Sequence, residues 1–230
     1  MNVFESLLDL LFPPKCPFCG KVLEKAAICP NCEKELPWIA DAEALREGPG
    51  DLCCAAPLWY KDLAREGILR FKFRGSSAAA RPIGEIMARC AAEHLSGRFD
   101  TVTWVPVSRK RLRKRGYDQA RLLAEAVCRH WDVKPVRLLK KIADTPPQSG
   151  LREAAARRAS VLGVYEVTDT RLVAGKRVLL VDDICTTGAT LAECVRVLKD
   201  AGAAETVCLT AARTPEKSGK VPAESLEKQG

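Results

Sequence analysis

Asp182 and Asp183 stand side by side after the apolar run Val178–Val181, and the chain then passes through Cys185, Thr186, Thr187, Gly188, Ala189 and Thr190. A buried strand has little structural use for two adjacent acids at its end. Three threonines offer hydroxyl donors, Gly188 lets backbone amides close on a ligand, and a following helix start adds more amides with partial positive charge. That set suits a phosphate. Two carboxylates accept from a ribose 2,3-diol or hold waters around Mg2+. The stretch therefore has the chemistry for a ribose 5-phosphate. A purely structural use also exists: Asp182 could cap the helix, which leaves Asp183 unexplained. The glycine patterns of dinucleotide and nucleoside-triphosphate loops are absent, so those readings lose their main support.

A second set follows the segment 100–108, where six of the seven residues from Arg109 to Arg115 are cationic. Open α/β sheets bind ligands beyond the carboxyl ends of their strands. A cation-dense loop at such an end suits an anion, either pyrophosphate or a nucleic-acid backbone, and charge alone does not choose between them. A third set is Cys16, Cys19, Cys29 and Cys32, two C-x2-C pairs separated by nine residues. Two such knuckles complete the tetrahedral sulfur site that structural Zn2+ prefers. A module this small needs the metal in place of a core. A redox pair is the rival reading, but it would need only one C-x2-C and a surrounding βαβ pattern.

The elements that must hold these residues are legible around them. Val178–Val181 reads as a buried strand. The next stretch, "TLAECVRVLKDAG", puts Leu191, Cys194, Val195 and Leu198 on one helix face, and "ETVCLTAA" is another strand. This is one βαβ unit. The segment "DTVTWVPVS" reads as a strand of β-branched and aromatic residues. After the cation run, Ala120, Leu123, Ala124, Val127 and Trp131 keep helical spacing, with Asp118 in the first turn. The pattern is α/β. At the start of the chain, Phe4, Leu7, Leu8 and Leu11 predict a short docking helix, and the acidic, Gly/Pro-bearing stretch 41–51 reads as a linker.

With 230 residues the chain has room for one sizeable domain and a small module. We expect a helix and ribbon in residues 1–50, the larger domain in 51–213 and a disordered tail in 214–230. The net charge of +8 is unevenly spread, with +11 in residues 51–213 against −3 in residues 1–50, which favours anionic ligands. No apolar run reaches the ~20 residues of a membrane span, so membrane insertion is not expected. Eleven cysteines, an odd number with no export signal, suit a reducing cytoplasm. Cys90, Cys128, Cys194 and Cys208 fall in apolar patterns as core thiols, and Cys53 and Cys54 read the same way.

The string "VLLVDDICTTGATL" resembles the phosphoribosyl-pyrophosphate motif of type I phosphoribosyltransferases. The order of the cysteine pairs, "ILRFKFRG", "VPVSRKRLRKRGYDQARLLA", "TPPQSGL" and "VDDICTTGAT" resembles the ComF family, over roughly residues 5 to 213. That family is linked to DNA uptake in naturally competent bacteria. The resemblance implies a type I phosphoribosyltransferase-like, mainly parallel sheet flanked by helices, with a small amino-terminal zinc ribbon. It implies that Asp182 and Asp183 are the catalytic acids. Together with Cys185, Thr186, Thr187, Gly188, Ala189 and Thr190 they would bind 5-phosphoribosyl 1-pyrophosphate with Mg2+. Ser108, Arg109, Arg111, Arg113 and Arg115 would form the pyrophosphate loop, and residues 143–163 a mobile flap. Family members often carry Asn where Asp118 and Ser160 stand. Competence proteins and single-stranded DNA are the implied partners.

No segment reads as a nucleobase specificity loop. Three functional classes follow: a phosphoribosyltransferase on an unnamed acceptor, a non-catalytic sensor of phosphoribosyl pyrophosphate, and a single-stranded DNA-binding accessory factor. The last has little aromatic support for base stacking, since only Tyr117 adjoins the cation run.

Overall fold

The computed structural model describes residues 13, 15–23, 27–48, 51–73, 77–143 and 161–215. The expected docking helix, most of the flap and nearly all of the tail lie outside these residues.

Ribbon elements come first. Residues 16–21 form a tight turn in which Gly20, at φ +80°, donates its N–H to the Cys16 carbonyl at 2.8 Å. Helix α1 (Pro30–Glu35) follows, with proline at its first turn, where a missing N–H costs nothing. Next come helix α2 (Asp41–Ala44), strand β1 (Leu45–Gly48), strand β2 (Leu52–Ala55) and strand β3 (Leu58–Trp59). The stretch 41–51 is therefore not a linker. Its described residues form a helical turn and then a strand, because β1 pairs antiparallel with β2, Leu45 opposite Ala55 and Gly48 opposite Leu52.

Helix α3 (Asp62–Phe73) and helix α4 (Ala80–His94) lead to strand β4 (Thr101–Trp104). Then come helix α5 (Arg109–Arg115) and helix α6 (Gln119–Cys128), followed by a two-stranded antiparallel sheet of β5 (Leu139–Lys141) and β6 (Tyr165–Val167). Strand β7 (Arg177–Cys185), helix α7 (Ala189–Asp200) and strand β8 (Glu205–Arg213) complete the elements of the described residues.

The main sheet runs β1-β2-β8-β7-β4, and every pairing but β1–β2 is parallel. Strands β2 and β3 lie in succession along the same edge of β8, Ala55 opposite Leu209 and Leu58 opposite Ala212. The break between them falls at Pro57, which has no N–H for the ladder. Both sheet faces are covered, as a parallel sheet requires. Leu179, Val181, Val207 and Leu209 pack with α3, α4 and α6, while Val178, Leu180 and Cys208 pack with α7 and the small sheet. The alternation within β7 and β8 thus divides two cores. Cys53, Cys54, Cys90, Cys128, Cys194 and Cys208 are all buried. Among the described residues no helix is long and apolar enough to cross a membrane.

The ribbon docks on α3 through one close contact. Phe18 is fully buried, and a methyl group placed on Gly67 would come within 2.4 Å of its ring. Further along, Arg213 at the end of β8 donates to the carbonyls of Glu43 and Ala44, which ties the segment before β1 to the sheet.

Candidate functional site

Hydrogen bonding carries β7 further than its apolar run suggests. Asp182, Ile184 and Cys185 stay in register with Thr210, Ala212 and Arg213, so both acids are strand residues rather than loop residues. Successive strand side chains point to opposite faces. Asp183 meets Lys72 of α3, Nζ to Oδ1 at 2.9 Å, with both side chains largely enclosed. Asp182 lies toward Tyr165 and Cys194 in the other core, whose ionisation it opposes. Its own Oδ1 accepts from the Asp183 N–H at 2.8 Å. Desolvation, reinforced by the charge of Asp183, holds the Asp182 carboxyl well above the usual range, and Lys72 works against that rise.

The turn after β7 is built for close approach. Gly188 occupies the position before α7 at φ +74°, and a Cβ there would lie 2.7 Å from Leu52 of β2. Only glycine satisfies both conditions. Gly188 at the N-cap has no side chain to offer, and the Ala189 N–H donates to the Thr187 hydroxyl at 3.4 Å, so the capping role weighed for Asp182 is not the one it plays. Thr186 and Thr187 are exposed, Thr190 is half-buried, and Gly188 and Ala189 are buried. Thr214, just beyond β8, stitches the turn down: its N–H donates to the Cys185 carbonyl at 3.0 Å and its hydroxyl to the Thr186 carbonyl at 3.1 Å. Cys185 itself is half-buried beside Cys54, whose hydrogen bond lowers the Cys185 thiol while its own rises.

The cation run is a helix, not the loop its charge density suggested. Arg, Lys and Leu are good helix formers. Ser108 caps α5 by accepting from the Arg111 N–H, and Gly116 ends it at φ +82°. A helix sorts the cations by face. Arg111 and Arg115, four apart, are half-buried, whereas Arg109, Lys110, Arg113 and Lys114 are exposed. Arg115 donates to Gln119 Oε1 at 2.9 Å and lies 5.0 Å above the Phe73 ring. The charge of Asp183 supports its protonated form against the desolvation that lowers it. Asp118 accepts from the N–H groups of Val107 and Arg121, so it joins the end of β4 to the start of α6, and burial raises its carboxyl.

The structure thus brings Asp182, Asp183, Arg111, Arg115 and the 186–190 turn to one end of the parallel sheet, while Arg109 and Arg113, also on α5, are solvent-exposed. Lys72 is the residue that sequence reasoning missed. Its segment, "ILRFKFRG", was legible as a mark of resemblance, yet nothing local in it points to Asp183. The flap cations Arg152, Arg157 and Arg158 lie outside the described residues.

In the ribbon, the sulfurs of Cys16, Cys19, Cys29 and Cys32 all lie within 4.8 Å of one another, with Cys19 and Cys29 at 3.5 Å. Tetrahedral Zn–S bonds place sulfurs about 3.8 Å apart, so the set fits structural Zn2+. The Cys32 N–H pulls the Cys29 thiol down to about 7, while burial pushes Cys32 up. No second four-cysteine cluster occurs among the described residues.

Comparison with known proteins agrees with this layout. Residues 7–64 match the model of a double zinc ribbon domain, and residues 114–226 match that of a phosphoribosyl transferase domain. The ribbon match runs past the four-cysteine cluster, and the only further cysteines in it are Cys53 and Cys54. Competence protein ComFC of Bacillus subtilis is 27% identical over 194 residues, covering 84% of this chain and 74% of that protein. Competence protein F of Haemophilus influenzae is 27% identical over 198 residues, covering 83% and 86%. ComFC of Streptococcus pneumoniae is 25% identical over 199 residues, covering 86% and 80%. The chain is therefore a relative of the ComF competence proteins, joining an amino-terminal zinc ribbon to a phosphoribosyltransferase domain.

Proposed function

We propose that this chain binds 5-phosphoribosyl 1-pyrophosphate with Mg2+ at the carboxyl end of β7 and transfers the phosphoribosyl group to an acceptor, in a cytoplasmic process connected with DNA uptake. The carrying observation is the Asp182–Asp183 pair at the end of a parallel strand, followed by a glycine-cradled turn into α7. The turn amides and the hydroxyls of Thr186, Thr187 and Thr190 would take the 5-phosphate. Asp182 and Asp183 accept from the ribose hydroxyls and stabilise positive charge on the ring as the leaving group departs. Arg111 and Arg115, on the inner face of α5, offer fixed positive charge to the departing pyrophosphate. Asp183 already holds a cation, the Lys72 ammonium, so its oxygen suits a metal-linked ligand. When bound, Mg2+ would act as a Lewis acid on the pyrophosphate oxygens.

Calorimetric titration with phosphoribosyl pyrophosphate, with and without Mg2+, tests this reading. Wild type should bind only with the metal. Asp183→Asn should keep the fold and lose tenfold or more in affinity, about 1.4 kcal/mol. Folded wild type that does not bind would overturn the assignment.

The exposed face of α5 favours a second role. Arg109, Lys110, Arg113 and Lys114 are solvent-exposed and suit a polyanion such as single-stranded DNA, with affinity that falls steeply as salt rises.

A further inference from the structure

Lys72 is assigned no role by the motifs, yet its ammonium makes the ion pair with Asp183. It comes from α3, far away in the chain, and its Nζ lies 2.9 Å from Asp183 Oδ1. The side chains are 18% and 14% exposed, so water screens the pair only in part. The helix that delivers Lys72 is fixed around that point. Phe71, one residue before, is buried, and its carbonyl accepts from the Tyr117 hydroxyl. Phe73, one residue after, lies under the Arg115 guanidinium. Ile68 and Ala64 anchor the preceding turns in the core. Lys72 is thus held at the acid rather than resting there as a solvated chain.

Of the cations near the acids, Lys72 is the one in direct ion-pair contact with Asp183, and Arg115 acts on it through its charge. Asp183 Oδ1 is met by the Lys72 ammonium at 2.9 Å, while Asp182 Oδ1 takes the Asp183 N–H at 2.8 Å. A divalent ion that uses Asp183, directly or through a water, must share or displace the ammonium, because two cations on one carboxylate oxygen repel each other. An ammonium released from Asp183 would stay within reach of the anionic ligand the metal brings.

The geometry points to Lys72 as a positioning residue that occupies Asp183 in place of a divalent cation until a metal-bound phosphoribosyl ligand arrives, and then turns to the ligand's phosphate oxygens. This inference rests on the proposed role of the acid pair. It assigns that site a built-in competitor: a metal ion alone is disfavoured, and metal with its anionic ligand is favoured.

The test is a titration with Mn2+ alone, followed by electron paramagnetic resonance, and then one with phosphoribosyl pyrophosphate and Mg2+ by calorimetry. Lys72→Met should bind Mn2+ alone at least tenfold more tightly than wild type. It should bind the ligand with Mg2+ at least tenfold more weakly. Lys72→Arg keeps the charge and should stay within about threefold of wild type for Mn2+, which separates loss of the cation from disturbance of α3. The expected Mn2+ gain should vanish in Lys72→Met combined with Asp183→Asn.

Equal Mn2+ affinities in wild type, Lys72→Met and Lys72→Arg would overturn the inference, as would the absence of Mn2+ binding in all of them. Tightening in Lys72→Arg to match Lys72→Met would also overturn it, since the competitor would then not be charge. A failure of wild type to bind phosphoribosyl pyrophosphate would sink the proposed function instead, and the Mn2+ comparison would stand apart from that result.

Discussion

Glu193 shows how one acid of α7 can carry structural weight. It projects from α7, is almost fully buried, and accepts the Arg196 guanidinium through both oxygens at 2.8 and 2.9 Å. Its Oε1 also takes the Gly163 N–H at 2.8 Å, just after the undescribed part of the expected flap. The Arg196 hydrogen bonds are the chief reason its carboxyl lies below the ordinary range. A carboxyl depressed in the folded state stabilises the fold above its unfolded value of about 4.3, and that contribution is lost as pH falls through the lower folded value. Glu193→Gln should therefore cost about 1–2 kcal/mol at pH 7 and flatten the acid limb of the stability curve. Urea melts between pH 7 and pH 3 would show it, and an unchanged acid limb would mean that the fork contributes nothing. Asp183, by contrast, is an acid whose partner comes from a distant helix, and no local pattern in "VDDICTTGAT" announces Lys72.

At the scale of elements, the readable parts were those whose signal is local. The β7–α7–β8 unit follows from period-two and helical spacing, and Leu191, Cys194, Val195 and Leu198 are buried as that spacing requires. The two cysteine knuckles were readable because metal ligation fixes short spacings. The misread parts are those where context decides. Strand β7 continues through its acids because β8 offers backbone partners as far as Arg213. The cation run is helical because Ser108 and Gly116 cap it at either end, two signals that its charge density masked. The hairpin of β1 and β2 was hidden in an acidic stretch because an edge strand needs no apolar run.

Helix packing was equally silent in the sequence. Helices α4 and α6 meet at Gly84, where an added Cβ would stand 2.3 Å from the Ala126 Cβ and 3.2 Å from its carbonyl carbon. Gly84→Ala must force the helices apart at about 1–3 kcal/mol, while helix propensity returns at most about 1 kcal/mol. A net loss of about 1–2 kcal/mol is expected by denaturant melting. Ala126→Gly in the same chain should recover part of it. Additive losses in the double variant would show that the two sites do not touch.

For the whole molecule, the ribbon and the acid pair share one helix. Phe18, between the cysteines of the first knuckle, packs against Gly67 in the middle of α3, and Lys72 stands near the end of the same helix. Four thiolates hold the knuckle in shape only while the metal binds them. Reciprocity then applies: whatever favours one arrangement of α3 at the acid pair must favour it equally at the ribbon. The zinc ion thereby becomes a reporter on a pocket it never touches. Its rate of escape to a colorimetric chelator should fall severalfold when phosphoribosyl pyrophosphate and Mg2+ are bound. Phe18→Ala should abolish that difference while leaving the ligand affinity of the zinc-loaded protein within a few-fold of wild type. Identical escape rates with and without ligand would mean that the two ends of α3 keep no account of each other.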